Sequence, residues 1–427
     1  MNNIILKSVS AENFAPFADK VFFTTEVDAS KKESIDNTVN INNTNYNIVS
    51  YVFGTNGAGK SYFCKILREI QRLIIWSSLT SVTSEKFSLV PALKDIDKPV
   101  VNFAFDTAYQ NKPTTFGIEI VVNEILYSYE FSILGKKIVY ESLTKKFRRT
   151  QKLIHRISSS YKDIELFCDL KSLAPTKKVV KEEALCLPML AFLNNQLAIN
   201  IMNAILGVGV YNMALRNDYV PKKEQFSHER LEKYISVLKK ADPTIRHMSV
   251  KFIEEETDRH QISGDGFEPK EIVSMRTSID VQTTHAVYDN GVEIEPAAAL
   301  EFNRDESLGT IKLFSMLPML YETLENGGIL VLDEIENSLH LHLVLQIIAL
   351  FLDSISNPHN AQLICTSHQP LLVSKNTRRD QVWIIDKDTF GKSSIHRVSS
   401  FKTAHSKINI SGLIQSAFGC DIQKFFD

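Results

Sequence analysis

Apolar positions along this chain change period several times, and each change predicts an element. Ile4, Ile5, Leu6 and Val9, then Val21, Phe22 and Phe23, alternate loosely, as short strands do, and a polar, Asn-rich loop is expected at 36–45. Residues 47–53 carry Ile48, Val49, Tyr51 and Val52 and end at Gly54, which reads as a buried strand entering a turn. Phe63, Leu67, Ile70 and Ile74 then recur at helical spacing. Strands are expected at 100–105, 116–122, 126–134 and 138–143, with turn signals at Asn123 and Gly135. Beyond Phe147 the pattern reads as helical to about Ala241. Within that stretch Leu231, Tyr234, Ile235 and Leu238 form one face, Ser227 is a candidate N-cap and Glu229–Lys233 an i,i+4 pair. Asp242-Pro243 ends the helix. Strand-like pieces follow at 248–253, 272–275 and 285–288.

The last third is patterned most sharply. Leu313, Met316, Leu317, Leu320 and Leu324 make an apolar helical stripe, and Gly327-Gly328 is a turn. Residues 329–332 form an apolar strand, 343–352 a helix, and 362–365 and 381–385 two further strands. Strands alternating with helices predict an α/β sheet. The division expected is a first lobe at 1–150, a helical insertion at 151–240 for dimerisation or partner binding, and a second lobe at 241–427.

Composition narrows the classes. At 44% hydrophobic and 23% charged, the 427 residues suit a globular core and exclude a disordered chain. Lys+Arg 48 against Asp+Glu 50 gives a net charge of −2, so nucleic acid is not coated by the whole surface. The local exception is 136–181, with 13 Lys/Arg against 4 Asp/Glu and Phe147 and Tyr161 among them. That stretch fits a phosphate backbone, an acidic partner protein or a solvated face. Cys64, Cys168, Cys186, Cys365 and Cys420 are scattered with no C-x-x-C pair, which suggests free thiols and no zinc site. No secretion signal and no membrane span is read, so a cytoplasmic protein is expected.

Gly54-Thr55-Asn56-Gly57-Ala58-Gly59-Lys60-Ser61 matches G-x-x-x-x-G-K-[ST] in full, between a strand pattern and a helix pattern. Such a loop aims backbone N–H groups at an anion and adds the partial positive charge of a helix N-terminus. Gly54, Asn56, Gly57 and Gly59 would cradle a nucleotide's phosphates, Lys60 would reach the β- and γ-phosphates, and Ser61 would ligate Mg²⁺. Ile329-Leu330-Val331-Leu332-Asp333-Glu334 puts two carboxylates at the end of a buried strand, where open α/β sheets bind ligands. Asp333 suits the Mg²⁺ shell, and Glu334 suits a base that polarises an attacking water.

Three pieces follow in order: Ser307-Leu308-Gly309-Thr310 before a long helix, Asn337-Ser338-Leu339-His340 after the acids, and Cys365-Thr366-Ser367-His368 closing a strand. The arrangement resembles the P-loop NTPase heads of ABC and SMC type, a group that includes MutS and the OLD-like ATPases. The resemblance is nearer still to stand-alone AAA ATPases of bacterial anti-phage defence, of the abortive-infection AbiL/RloA, PARIS and Septu types. It covers about the first 145 and the last 185 residues. It implies a homodimer that encloses ATP and Mg²⁺, with Ser307 and Gly309 contacting nucleotide in trans, Ser338 in the D-loop and His368 on the γ-phosphate. It also implies a separately encoded effector, a toxin or nuclease. The signature has Leu308 and Thr310 where relatives carry Gly and Gln, and a Q-loop glutamine is not placed. Asp386-Lys387-Asp388 resembles a nuclease D-x-D, but a hairpin turn is the better expectation with so few residues after it. Two other outputs stay open: a nucleotide-gated scaffold with negligible turnover, and an SMC-like DNA-repair ATPase, although 151–240 carries no long heptad run.

Overall fold

A computed structural model describes residues 4–28, 37–80, 98–214, 223–264, 267–374, 376–401, 410 and 412. The chain divides into two compact units. The first comprises 1–218, 323–337 and 344–427, and the second 219–322 and 338–343.

In the first unit a six-stranded sheet runs in the order Gly209–Asn212, Ile329–Asp333, Gln362–Ser367, Val49–Gly54, Val382–Lys387, Ser393–Arg397. The first five strands are parallel and the last is antiparallel. Val49–Gly54, Ile329–Asp333 and Gln362–Ser367 are buried along their whole length, as strands covered on both faces must be. The second sheet has seven antiparallel strands, centred on Ile4–Glu12, Thr114–Val122, Ile125–Leu134 and Lys137–Lys146. One core serves both sheets and the helix Lys60–Thr80, whose Phe63, Ile66, Leu67, Ile70 and Ile74 are buried. Phe23 joins the layers: its ring lies 5.1 Å from that of Phe63 and 5.0 Å from that of Trp383. The Gln362 side chain is a polar stitch, accepting from Leu6 N at 2.7 Å and donating to Asn47 O at 2.9 Å.

The second unit is built on the hairpin Ile245–Gly264 and Phe267–Asp289, with Val292–Glu301 added at its base. Phe226 and Phe302 pack on Phe314 with centroids 5.8 and 5.0 Å away, and Tyr234 packs on Tyr321 at 5.5 Å. The helix His228–Ala241 starts as expected, with Ser227 accepting from Arg230 N and Lys233 paired to Glu229 at 2.9 Å.

Several sequence expectations shift. Residues 150–166 are strands, Thr150–Arg156 and Ile164–Leu166, and they extend the antiparallel sheet instead of opening a helical insertion. The strand Thr150–Arg156 opens with three exposed polar residues and lacks a clean alternation, while Leu153, Ile154 and Arg156 are fully buried. The helices Cys186–Phe192 and Gln196–Leu206 are bent by 118° and send Leu187, Met189, Ile201 and Ile205 into the core. The Asn-rich stretch is a hairpin, Thr38–Ile41 with Thr44–Asn47; Asn42 and Asn43 hold its turn at φ 50° and 62°. Residues 100–105 run without strand pairing, although Ala15 N donates to Val101 O at 2.8 Å. Cys64, Cys168, Cys186 and Cys365 are free; Cys420 lies outside the described residues. Among the described residues no single helix is long and apolar enough to cross a membrane.

Candidate functional site

The site forms at the C-terminal ends of three adjacent parallel strands. Val49–Gly54 is central, and the turn 55–59 carries it into the helix that begins at Lys60. Gly54 lies against the neighbouring strand: a Cβ there would meet Ile385 O at 2.6 Å. Gly59 holds φ +117°, and a Cβ would also crowd Ser393 Oγ at 3.1 Å and Pro16 Cγ at 3.3 Å. Ser393 Oγ in turn donates to Ala58 O at 2.6 Å and braces the loop from the edge strand. Thr55, Asn56 and Gly57 remain exposed, so the cradle is open to solvent, and Ser61 is half-buried on the first turn of the helix.

Lys60 is only 5% exposed. Its Nζ donates to Gly54 O at 2.8 Å and Thr55 O at 3.0 Å, and lies 3.2 Å from His368 Nδ1. Burial lowers its pKa to about 8, against the opposing pull of Asp333, Glu334 and Glu336. Burial, and then the Lys60 charge, hold His368 below the ordinary histidine value. An ammonium facing Nδ1 requires that nitrogen to accept, which assigns the neutral imidazole with its proton on Nε2.

Asp333 is 2% exposed and ends its strand. Thr366 Oγ1 donates to its Oδ1 at 2.6 Å and Asn212 Nδ2 to its Oδ2 at 2.7 Å. Glu334 follows at φ 55°, a left-handed conformation unusual for glutamate. It is fixed by its N–H to Thr366 Oγ1 at 2.9 Å and by Asn337 Nδ2 reaching its Oε2 at 3.4 Å. Glu336 accepts from His368 N at 2.6 Å.

Lys60, Asp333, Glu334 and His368 are thus brought together in the first unit. Ser307, Gly309 and Ser338 belong to the second unit. There Ser307 Oγ accepts from Thr310 N at 3.1 Å, capping the helix, and a Cβ on Gly309 would stand 3.3 Å from Ser338 O. Ser307 and Leu308 are exposed, and Ser338 sits at φ 61°.

A divalent ion fits the donors present. Ser61 and Asp333 are hard oxygen donors, and each Asp333 oxygen accepts one hydrogen bond and keeps a lone pair free. Among the described residues no cluster of three His, Cys, Asp or Glu could hold a metal by itself.

The basic stretch is partly consumed by structure. Arg156 is fully buried on the carbonyls of Ser158, Ser159, Glu182 and Ala184, and Lys145 and Lys137 pair with Asp169 and Glu182. Phe147, Arg148 and Arg149 remain exposed on a turn, bordering a groove of about 540 Å³ with Ile125, Lys145 and Gln151. Asp386 and Lys387 end the strand Val382–Lys387, and Asp388 opens the hairpin turn, its Oδ1 accepting from Phe390 N and Lys392 N.

Sequence reasoning missed Asn212, Thr366 and Glu336. Asn212 ends a four-residue strand too short to show a pattern, and Thr366 and Glu336 gain meaning only once two strand ends stand side by side.

Residues 202–374, less than half of the chain, match the family described as "AAA domain, putative AbiEii toxin, Type IV TA system". No curated protein matches. Among solved structures the chain is similar to the SMC head domain from Thermotoga maritima, at 13% identity and a TM-score of 0.37, covering 92% of this chain and 98% of that one. A parallel sheet whose central strand opens into a glycine-rich loop, with an acid-ended strand two places away and an antiparallel sheet alongside, is the α/β fold of a P-loop NTPase.

Proposed function

We propose that this protein is a Mg²⁺-dependent ATPase that dimerises around ATP and regulates a separately encoded effector, a toxin or nuclease, in anti-phage defence. One observation carries the reading: Lys60, Asp333, Glu334 and His368 converge at neighbouring strand ends, with Lys60 Nζ 3.2 Å from His368 Nδ1.

In this reading the loop 54–59 and Lys60 hold the triphosphate, and Ser61 and Asp333 hold Mg²⁺, which neutralises phosphate charge when bound. Asn212 and Thr366 hold the Asp333 carboxylate in its orientation. Glu334 takes the proton of the attacking water, and the neutral His368 offers its Nε2 proton to a γ-phosphate oxygen. Ser307 and Gly309 of a second copy close the pocket, with Ser338 at the same junction. The matched family's description places AAA domains of this kind in a toxin–antitoxin system.

The test is turnover of saturating Mg·ATP with the wild type and Glu334→Gln. The variant is expected to bind ATP, to accumulate as an ATP-dependent dimer, and to turn over about 10²–10⁴-fold more slowly. Wild-type turnover in Glu334→Gln would remove the assigned base. Tight binding with no wild-type turnover would make the protein a nucleotide-gated scaffold.

A further inference from the structure

Glu336 stands two residues beyond the proposed base and has no part in the chemistry above. Its Oε1 accepts the backbone N–H of His368 at 2.6 Å. Its Oε2 is buried and has no hydrogen-bond partner, one of few such side-chain atoms among the described residues. Buried carboxylate oxygens are costly to leave unpaired, and those that persist mark places where something outside the fold completes the bonding. The surroundings are those of the site: Glu336 acts electrostatically on both Lys60 and His368.

The carboxylate therefore ties two loops together. One is the turn after the acidic strand, where Ile335 N donates to Thr366 O at 3.2 Å and Asn337 N to Glu334 O at 2.8 Å. The other begins at His368, directly after the strand Gln362–Ser367. We infer that Glu336 is a positioning residue: it fixes the His368 backbone so that the imidazole faces Lys60, and its open oxygen takes a hydrogen bond from water that enters with nucleotide. Strain at Glu334 is consistent with this, since a left-handed glutamate needs the surrounding turn to over-determine it. This rests on the ATPase reading of the site.

Three variants test it in the full-length protein: Glu336→Ala, Glu336→Gln and His368→Ala, with the double variant Glu336→Ala/His368→Ala. Gln keeps an acceptor for His368 N–H, and Ala removes it. Expected are a kcat for Glu336→Ala lowered on the order of tenfold or more, an unchanged affinity for Mg·ATP, recovery of most activity in Glu336→Gln, and a double variant no slower than His368→Ala. Hydrogen exchange of 366–370 supplies a readout independent of turnover: Mg·ATP should slow it in the wild type and in Glu336→Gln, but not in Glu336→Ala. Additive losses in the double variant, equal losses in Glu336→Gln and Glu336→Ala, or equal ATP-dependent protection in all variants would each overturn the inference. A wild type that binds Mg·ATP without turnover fails the ATPase reading alone, and the exchange comparison then decides the positioning by itself.

Discussion

Two carboxylates of the first unit, Glu141 and Glu336, meet opposite fates. Glu141, on the antiparallel sheet, is fully buried and saturated: Tyr129 Oη donates to it at 2.9 Å, Cys186 N at 3.0 and 2.7 Å, and Leu187 N at 3.1 Å. Arg156 lies close enough to act on it electrostatically, and its own guanidinium is spent on carbonyls. Glu336, at the end of the parallel sheet, has one oxygen bonded and one buried with no partner. Burial pushes Glu141 above the ordinary carboxylate range even with those donors around it, so the network is costly and complete. A closed network stabilises a single arrangement. An open one keeps bonding capacity that the fold does not use.

The largest break in the open network comes from Lys60→Ala. The change removes an ammonium bonded to the loop carbonyls of Gly54 and Thr55, and with it a positive charge that acts on Asp333, Glu334 and Glu336. Binding of Mg·ATP should fall below detection at millimolar nucleotide by calorimetry or equilibrium dialysis. Because the cradle itself is held by Ser393 and by backbone, the unfolding transition should stay near that of the wild type. Retained micromolar affinity would separate the loop from nucleotide and reduce the comparison to two structural networks.

The difference between the two networks also explains what could be seen in the sequence. The parallel sheet was legible because its strands are short apolar runs interrupted by glycine or acid. Gly54 through Ser61 and Asp333-Glu334 stand at those interruptions, and His368 stands where the next strand stops. Chemistry at strand ends is local in sequence even when its partners are not. The closed network was invisible for the opposite reason. Glu141, Arg156 and Cys186 are joined only by register, Glu141 opposite Arg156 across two strands, and by a helix start thirty residues further on. Read alone, Arg156 is one more basic residue in a basic stretch, and that is why 150–166 looked helical. The long hairpin of the second unit surfaced only as its apolar fragments at 248–253, 272–275 and 285–288.

The next effect belongs to the closed side. Glu141→Ala strands the Tyr129 hydroxyl, two backbone N–H groups at the start of the helix Cys186–Phe192, and the buried charge of Arg156. Removing one member of a buried charged network costs about 3–5 kcal/mol. Urea unfolding of the full chain should show that loss in the transition of the first unit, with Mg·ATP affinity unchanged in whatever fraction stays folded. A shift under about 1 kcal/mol would mean that Glu141 is as incompletely used as Glu336, and the contrast would dissolve.

A finer cut comes from Tyr129→Phe, which keeps the ring and deletes one donor. The ring is buried and packs 5.4 Å from Phe131, so no cavity opens. Glu141 keeps the two backbone donors and Arg156 nearby, so the loss is that of a single hydrogen bond to a charged group, about 1.5–3 kcal/mol. The cost should fall below that of Glu141→Ala, because there every donor loses its acceptor at once and here one acceptor loses a single donor. The two variants combined should lose less than the sum of their separate losses, since the hydroxyl has no role once the carboxylate is gone. Additive losses in that double variant would show that Tyr129 and Glu141 stabilise the sheet independently, and that the network counted here as closed is two separate contacts.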